Sequence, residues 1–178
     1  MKQKPEIKSV TTIAKGRLLS IEGVELLFSN DETVTFERIA TSGPAVMVVP
    51  VTEDGLLMVH EYAVGTDRYE LGFVKGRIDS GESPEQAALR ELKEEVGLGA
   101  KQLTYVREMH GIPHYSDFVM HLFFAKEFYP EKLVGDEIEP LEQSVWKIEQ
   151  IDDLLEHHQI NDPRVLLALC LVKKWLEK

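Results

Sequence analysis

Two near-continuous apolar runs, AVMVVPVT at residues 45–52 and GLLMVHEYA at residues 55–63, meet at Glu53-Asp54-Gly55. A strand that is wet on one face alternates apolar and polar residues, whereas a run without that alternation belongs to a strand covered on both faces. The pair reads as a hairpin of central strands with cover on either side. That requirement points to a layered α/β sandwich, and 178 residues, 43% of them hydrophobic, are enough to bury its core.

The flanking segments fit such an arrangement. RLLSIEGVELLF (17–28) and TVTFERI (33–39) read as two strands joined at the polar turn Ser29-Asn30-Asp31-Glu32, forming a hairpin ahead of the main body. The division expected is an amino-terminal hairpin segment, 1–42, and a main domain, 43–178. After YELGFVKGRI comes a helix with a strong start, with Ser83 as N-cap, Pro84 at the first helical position and Gln86 completing a capping box. Gly97 supplies its stop. LTYVREMHGI and FVMHLFFAKEF read as strands on either side of the loop Pro113-His114-Tyr115-Ser116-Asp117, and SVWKI as another. Two helices, about Ile148–His157 and Pro163–Leu176, close the chain. Strands outnumber helices, so the expected fold is an α/β sandwich around one mixed sheet.

Charge and composition narrow the function classes. Against 20 basic residues stand 31 acidic ones, a formal net charge of −11 with no basic run. Nucleic acid and anionic membrane surfaces are therefore poor partners. Cys170 is the single cysteine, set in the apolar run VLLALCLV, where burial is expected. One cysteine excludes an intrachain disulfide, and the opening residues lack an apolar leader, so a cytoplasmic setting is expected.

The chemistry concentrates in GRIDSGESPEQAALRELKEEVGL, residues 76–98. On a helix from Pro84 to Val96, Ala88, Leu89, Leu92 and Val96 form the buried stripe, and Glu91, Glu94 and Glu95 share a neighbouring face. Like charges at such spacings cost an isolated helix roughly 0.2–0.5 kcal/mol per pair. A solvated surface helix tolerates that. Glu82, Glu91, Glu94 and Glu95 converging at one end of a helix, however, make an oxygen-only pocket suited to Mg²⁺ or Mn²⁺, with Arg90 placed to steer a carboxylate.

This stretch resembles the signature of the Nudix hydrolases at every specified position: Gly76, Glu82, Arg90, Glu91, Leu92, Glu94, Glu95, Gly97 and Leu98. The wider run from HEYAVG to the acidic loop VGDEIEP and the closing NDPRVLLALCLVKKWL is similar to the ADP-ribose pyrophosphatase branch of that family. The resemblance implies an α-β-α sandwich and Mg-dependent cleavage of the diphosphate in ADP-ribose, NADH or diadenosine polyphosphates, releasing AMP. It implies two or more Mg²⁺ or Mn²⁺ ions per site. Glu91 and Glu95 would be the main ligands, with Glu82, Glu94, Glu139 and the Lys75 carbonyl in support. It also implies Glu137 as general base, with Asp136 and Glu139 in the same loop. Glu94 and Arg90 are expected to assist catalysis, and Arg38, Tyr62, His114, Tyr115 and Asp117 to contact substrate. Many members of the branch carry a substrate-contacting arginine after the second central strand, where this chain has Ala63.

The branch uses its amino-terminal segment to embrace a second subunit, and the apolar content here (Leu18, Leu19, Ile21, Val24, Leu26, Leu27, Phe28) is in keeping with a homodimer. Two other readings remain open at this point: a house-cleaning nucleoside triphosphate pyrophosphohydrolase, and a nucleotide-sensing Nudix module without turnover.

Overall fold

The computed structural model describes residues 2–177, which divide into two compact units. The first comprises residues 2–44 together with the loop 110–119. It holds a three-stranded antiparallel sheet in the order β1 (Glu6–Lys15), β2 (Leu19–Leu27), β3 (Thr33–Thr41). The β2–β3 hairpin and its turn follow the sequence reading, with Asp31 in the left-handed region at φ 62°. The third strand, β1, is a finding of the structure; it is exposed along its whole length and so carries no burial pattern. Hydrogen bonds hold the loop to β3. The Ile39 N–H donates to the Tyr115 carbonyl at 2.7 Å, and the Thr41 N–H donates to Asp117 Oδ1 at 3.0 Å.

The second unit, residues 45–109 and 120–177, contains two sheets. One has the order β7 (Val74–Arg77), β4 (Ala45–Pro50), β9 (Val119–Pro130), β8 (Leu98–His110), with β4 antiparallel to β7 and parallel to β9. The other has the order β10 (Glu142–Trp146), β5 (Leu56–Ala63), β6 (Arg68–Gly72). The expected β4–β5 hairpin is corrected here: the strands lie in different sheets, linked by one isolated bridge, Val51 to Leu56. The inference of cover on both faces nevertheless holds, since every residue of β4 is buried. A tight turn, closed by the Thr52 N–H to the Gly55 carbonyl at 2.8 Å, lets the chain change sheets rather than fold back. Val46, Val48, Val59, Val74 and Phe123 pack with Ala87, Ala88 and Leu92 of the helix that follows β7.

The chain closes with a 3-10 turn at Ile148–Gln150, α2 (Ile151–Leu155) and α3 (Pro163–Leu176), so the first of the two expected helices is broken into shorter pieces. Asp162 caps α3 by accepting the Arg164 N–H at 2.8 Å. Its buried face is Val165, Ala168, Leu169 and Val172, which leaves Cys170 on the other side of the helix. The thiol is exposed, contrary to the expectation of burial. Among the described residues no helix is long and apolar enough to cross a membrane.

Gly55 is buried with φ at +138°, and a Cβ there would overlap the Trp146 carbonyl oxygen. Gly55→Ala is expected to lower stability by roughly 1–3 kcal/mol or more from backbone strain and this overlap. Urea unfolding followed by circular dichroism measures the loss, and an unshifted midpoint would contradict the turn geometry.

Candidate active site

The helix that carries the glutamates begins as its sequence dictates. At α1 (Pro84–Glu91), Ser83 Oγ accepts the Gln86 N–H at 3.2 Å, and Gln86 Oε1 accepts the Ser83 N–H at 2.8 Å. The helix does not run to Val96 in α form. Residues Leu92–Val96 take a π-helical turn that ends at Gly97, whose left-handed φ of 72° lets its N–H reach the Leu92 carbonyl. Single π turns inside helices are frequent at functional sites. The buried face also differs from the predicted stripe: Ala87, Ala88, Glu91, Leu92, Glu95 and Val96 are buried, and Leu89 is half-buried. Glu91 and Glu95 therefore belong to the dry face instead of flanking it, with 8% and 5% of their surface exposed.

Arg90 gathers three of the carboxylates. Its Nη1 donates to Glu91 Oε1 at 2.6 Å and to Glu94 Oε2 at 2.9 Å, while Nε and Nη2 donate to Glu82 at 3.0 and 2.9 Å. Nη2 also donates to the Arg77 carbonyl on β7. The hydrogen bonds from Arg90 hold the Glu82 carboxyl below its usual range. Burial pushes Glu91 up, against the Arg90 charge and with Glu94 and Asp136 adding to the rise. Burial pushes Glu95 up to about 8, opposed by Lys75, whose backbone N–H donates to Glu95 Oε1 at 3.3 Å. The Lys75 ammonium is paired with Glu61 of β5, a carboxylate that sequence reasoning missed. Nothing local marks Glu61, because its partner lies 14 residues away on another strand.

Gly76, next to Lys75 on β7, has no room for a side chain: a Cβ there would overlap the Glu91 carboxylate. The acidic loop after β9 approaches the same centre. Glu137 is pushed up by desolvation first and then by the charges of Glu61 and Asp136, so these groups lie within electrostatic reach of one another. Glu139 is placed differently. Its carboxylate accepts the Tyr69 hydroxyl at 2.5 Å and is not among the groups that Arg90 gathers.

In the other unit a cavity of about 840 Å³ is lined by residues that include Arg38, His114, Tyr115 and Asp117, together with Phe28 and Phe36. The structure thus brings together four of the five side chains expected to touch substrate. Arg38 bonds to Glu22 at 2.9 Å, and Asp117 is committed to Thr41. Tyr62, the fifth, is half-exposed on β5, where its hydroxyl donates to Asp67 at 2.5 Å and its ring meets Tyr69 edge-on.

A divalent cation fits the carboxylate centre on two grounds. The donor set is oxygen only, and the bare Gly76 lets the Glu91 carboxylate lie against β7, where any side chain would displace it. Among the described residues no group of three or more His, Cys, Asp or Glu is already arranged around a metal position; positive charge comes instead from Arg90 and Lys75.

Glu95 is ordinarily a carboxylate of pKa 4.5 and rises to about 8 when folded. Between those values the folded chain keeps a proton that the unfolded chain releases, so stability must fall as pH rises through that window. His157 opposes this below neutrality, since its lowered folded pKa makes stability rise as pH climbs toward 6.5. The clear window is about pH 7 to 8. In chelator, the melting temperature is expected to fall across it, and Glu95→Gln is expected to flatten that slope. An equal slope in both proteins would contradict the burial assigned to Glu95.

Comparison with known proteins agrees with this geometry. The NUDIX domain matches residues 41–169, and the NudE-type Nudix hydrolase N-terminal domain matches residues 5–38. ADP compounds hydrolase NudE of Escherichia coli (strain K12) is 48% identical over 176 residues, 98% of this chain and 95% of that protein. ADP-ribose pyrophosphatase of Bacillus subtilis (strain 168) is 31% identical over 165 residues, 89% of each. A crystal structure of ADP compounds hydrolase superposes with a TM-score of 0.93 at 48% identity, covering 99% of this chain and 96% of that one. With Gly76, Arg90 and the buried glutamates in place, this chain belongs to the Nudix family and is a Nudix hydrolase with a NudE-type amino-terminal domain.

Proposed function

We propose that this enzyme hydrolyses the diphosphate linkage of ADP compounds, with ADP-ribose, NADH and diadenosine polyphosphates as the substrate class and AMP as a product. The observation that carries this reading is the buried pair Glu91 and Glu95 beside Gly76, in a chain similar over nearly its whole length to an ADP compounds hydrolase. Magnesium or manganese ions held by Glu91 and Glu95, with Glu82, Glu94 and the Lys75 carbonyl in support, would neutralise the diphosphate and polarise its phosphorus.

The chain's own residues supply the rest. Arg90 fixes the rotamers of Glu82, Glu91 and Glu94 through four hydrogen bonds, so the acidic centre is set before substrate arrives. Glu137 takes the proton of the attacking water as the bridging P–O bond breaks. Its desolvation raises its basicity toward neutral pH, which suits a general base. Arg38, His114, Tyr115 and Asp117, grouped at one cavity, are proposed to contact the adenosine portion, and Tyr62 is a further candidate on β5. The Glu139 carboxylate, expected from the resemblance to ligate metal, is assigned to the loop instead, since it is engaged by Tyr69.

The working form is proposed to be a cytoplasmic homodimer. In the amino-terminal unit Ile7, Val10, Ile13, Leu19, Ile21, Val34 and Phe36 are all exposed, an apolar surface suited to a second copy of this chain. Light scattering at micromolar protein is expected to give twice the chain mass; a monomeric mass would refute the dimer.

The functional test is incubation with ADP-ribose and Mg²⁺ against a panel of nucleoside triphosphates, with AMP measured by chromatography. ADP-ribose is expected to be the better substrate, and excess chelator to abolish turnover. Glu95→Gln should remove most activity, and Glu137→Gln should lower kcat by about 10²–10⁴ with metal affinity nearly intact. Full turnover in chelator, or an unaltered Glu137→Gln rate, would overturn the respective assignments.

A further inference from the structure

The acidic loop between β9 and β10 has no regular secondary structure, yet it is tied at both ends. Its start docks on the end of the glutamate-bearing helix, where the last carbonyls lack partners within the helix itself. Leu133 N–H donates to the Lys93 carbonyl at 3.1 Å, Glu131 N–H donates to the Gly97 carbonyl at 3.0 Å, and the Lys132 ammonium donates to the Glu94 carbonyl. Gly135 then passes so close to Glu94 that an added Cβ would stand 3.1 Å from the Glu94 Cβ. At the far end, Tyr69 donates its hydroxyl to Glu139. Asp136 and Glu137 lie between the two ties.

Tyr69 is half-exposed and is braced by its neighbour on β5. It sits on β6 opposite Tyr62 of β5, the two rings meet edge-on at 5.6 Å between centroids, and the Tyr62 hydroxyl is fixed on Asp67. A loop tied only at its start would sample many arrangements, and a second tie narrows them.

We propose that Tyr69 is a positioning residue for the reaction: by holding Glu139 it fixes the far end of the acidic loop and presents Glu137 to the carboxylate centre. The role rests on the hydrolase reading above and acts through Glu137, so it bears on kcat and not on substrate affinity.

Tyr69→Phe keeps the ring and its contact with Tyr62 while removing the hydroxyl. It is expected to raise backbone hydrogen exchange in residues 133–139 and to lower kcat for ADP-ribose roughly 3- to 10-fold, the range for one lost hydrogen bond. KM and the Mg²⁺ concentration for half-activation should stay as in the wild type. Glu139→Ala should match it, the double variant should be no worse than either, and Glu139→Gln, which keeps an acceptor oxygen, should recover most of the loss. Unaltered exchange and kcat in Tyr69→Phe, additive losses in the double variant, or a raised Mg²⁺ requirement in Glu139→Gln would each overturn the assignment. Faster loop exchange in Tyr69→Phe, in a protein whose wild type leaves ADP-ribose intact, would sink the substrate reading and still support the tie.

Discussion

Glu91 and Glu95 lie four residues apart on the dry face of one helix, and much of the surrounding structure serves to tolerate that placement. On a solvated helix the repulsion would be a few tenths of a kcal/mol. Buried, each carboxylate also loses its hydration, a penalty of several kcal/mol unless it is paired or protonated. The chain uses both remedies. Arg90 pairs Glu91, while Glu95, with the Lys75 N–H, shifts toward its protonated form. The capping box at Ser83 and the left-handed Gly97 delimit the segment that carries both, so the two side chains are presented from a rigid element.

The sequence made the helix and its caps legible because these depend on local chemistry: a serine hydroxyl, a proline ring, a glycine without Cβ. The acidic pocket was legible for the same reason, since helical spacing alone places the glutamates together. What escaped depends on distant partners. Glu61 looks like an ordinary strand residue until Lys75 of another strand is set beside it. Tyr69 and Glu139 are 70 residues apart. The β4–β5 turn has the residues of a hairpin, and only the pairing of β4 with β9 shows that the chain changes sheets there. Cys170 was misplaced for a simpler cause, since an unbroken apolar run hides which residues face the core, and only the period of Val165, Ala168, Leu169 and Val172 reveals it.

The π-helical turn was equally invisible, because Leu92–Val96 reads as ordinary helix. Its position links two parts of the site. A helix end leaves carbonyls unsatisfied, and here the carbonyls of Lys93, Glu94 and Glu95 receive Leu133 and Lys132 from the acidic loop. The segment that carries the carboxylates therefore also anchors the loop that carries the candidate base. A substitution that displaced one would disturb the other.

Around this centre Glu61, Glu82, Glu91, Glu94, Glu95, Asp136 and Glu137 are answered by Arg90 and Lys75. The local charge is strongly negative, matching the whole chain's −11. A diphosphate is also an anion, so bare electrostatics would repel it from this carboxylate centre. Lys75 does not relieve this, since its ammonium is held by Glu61. Nor does the end of β5, where Ala63 carries no charge and the Arg68 opposite it is held by Glu70. The same excess charge explains why burial is useful rather than merely tolerated. Carboxylates that are costly to ionise alone gain most from a divalent cation, so in the function proposed above their ionisation would be coupled to the arrival of the positive charge that an anionic substrate also needs.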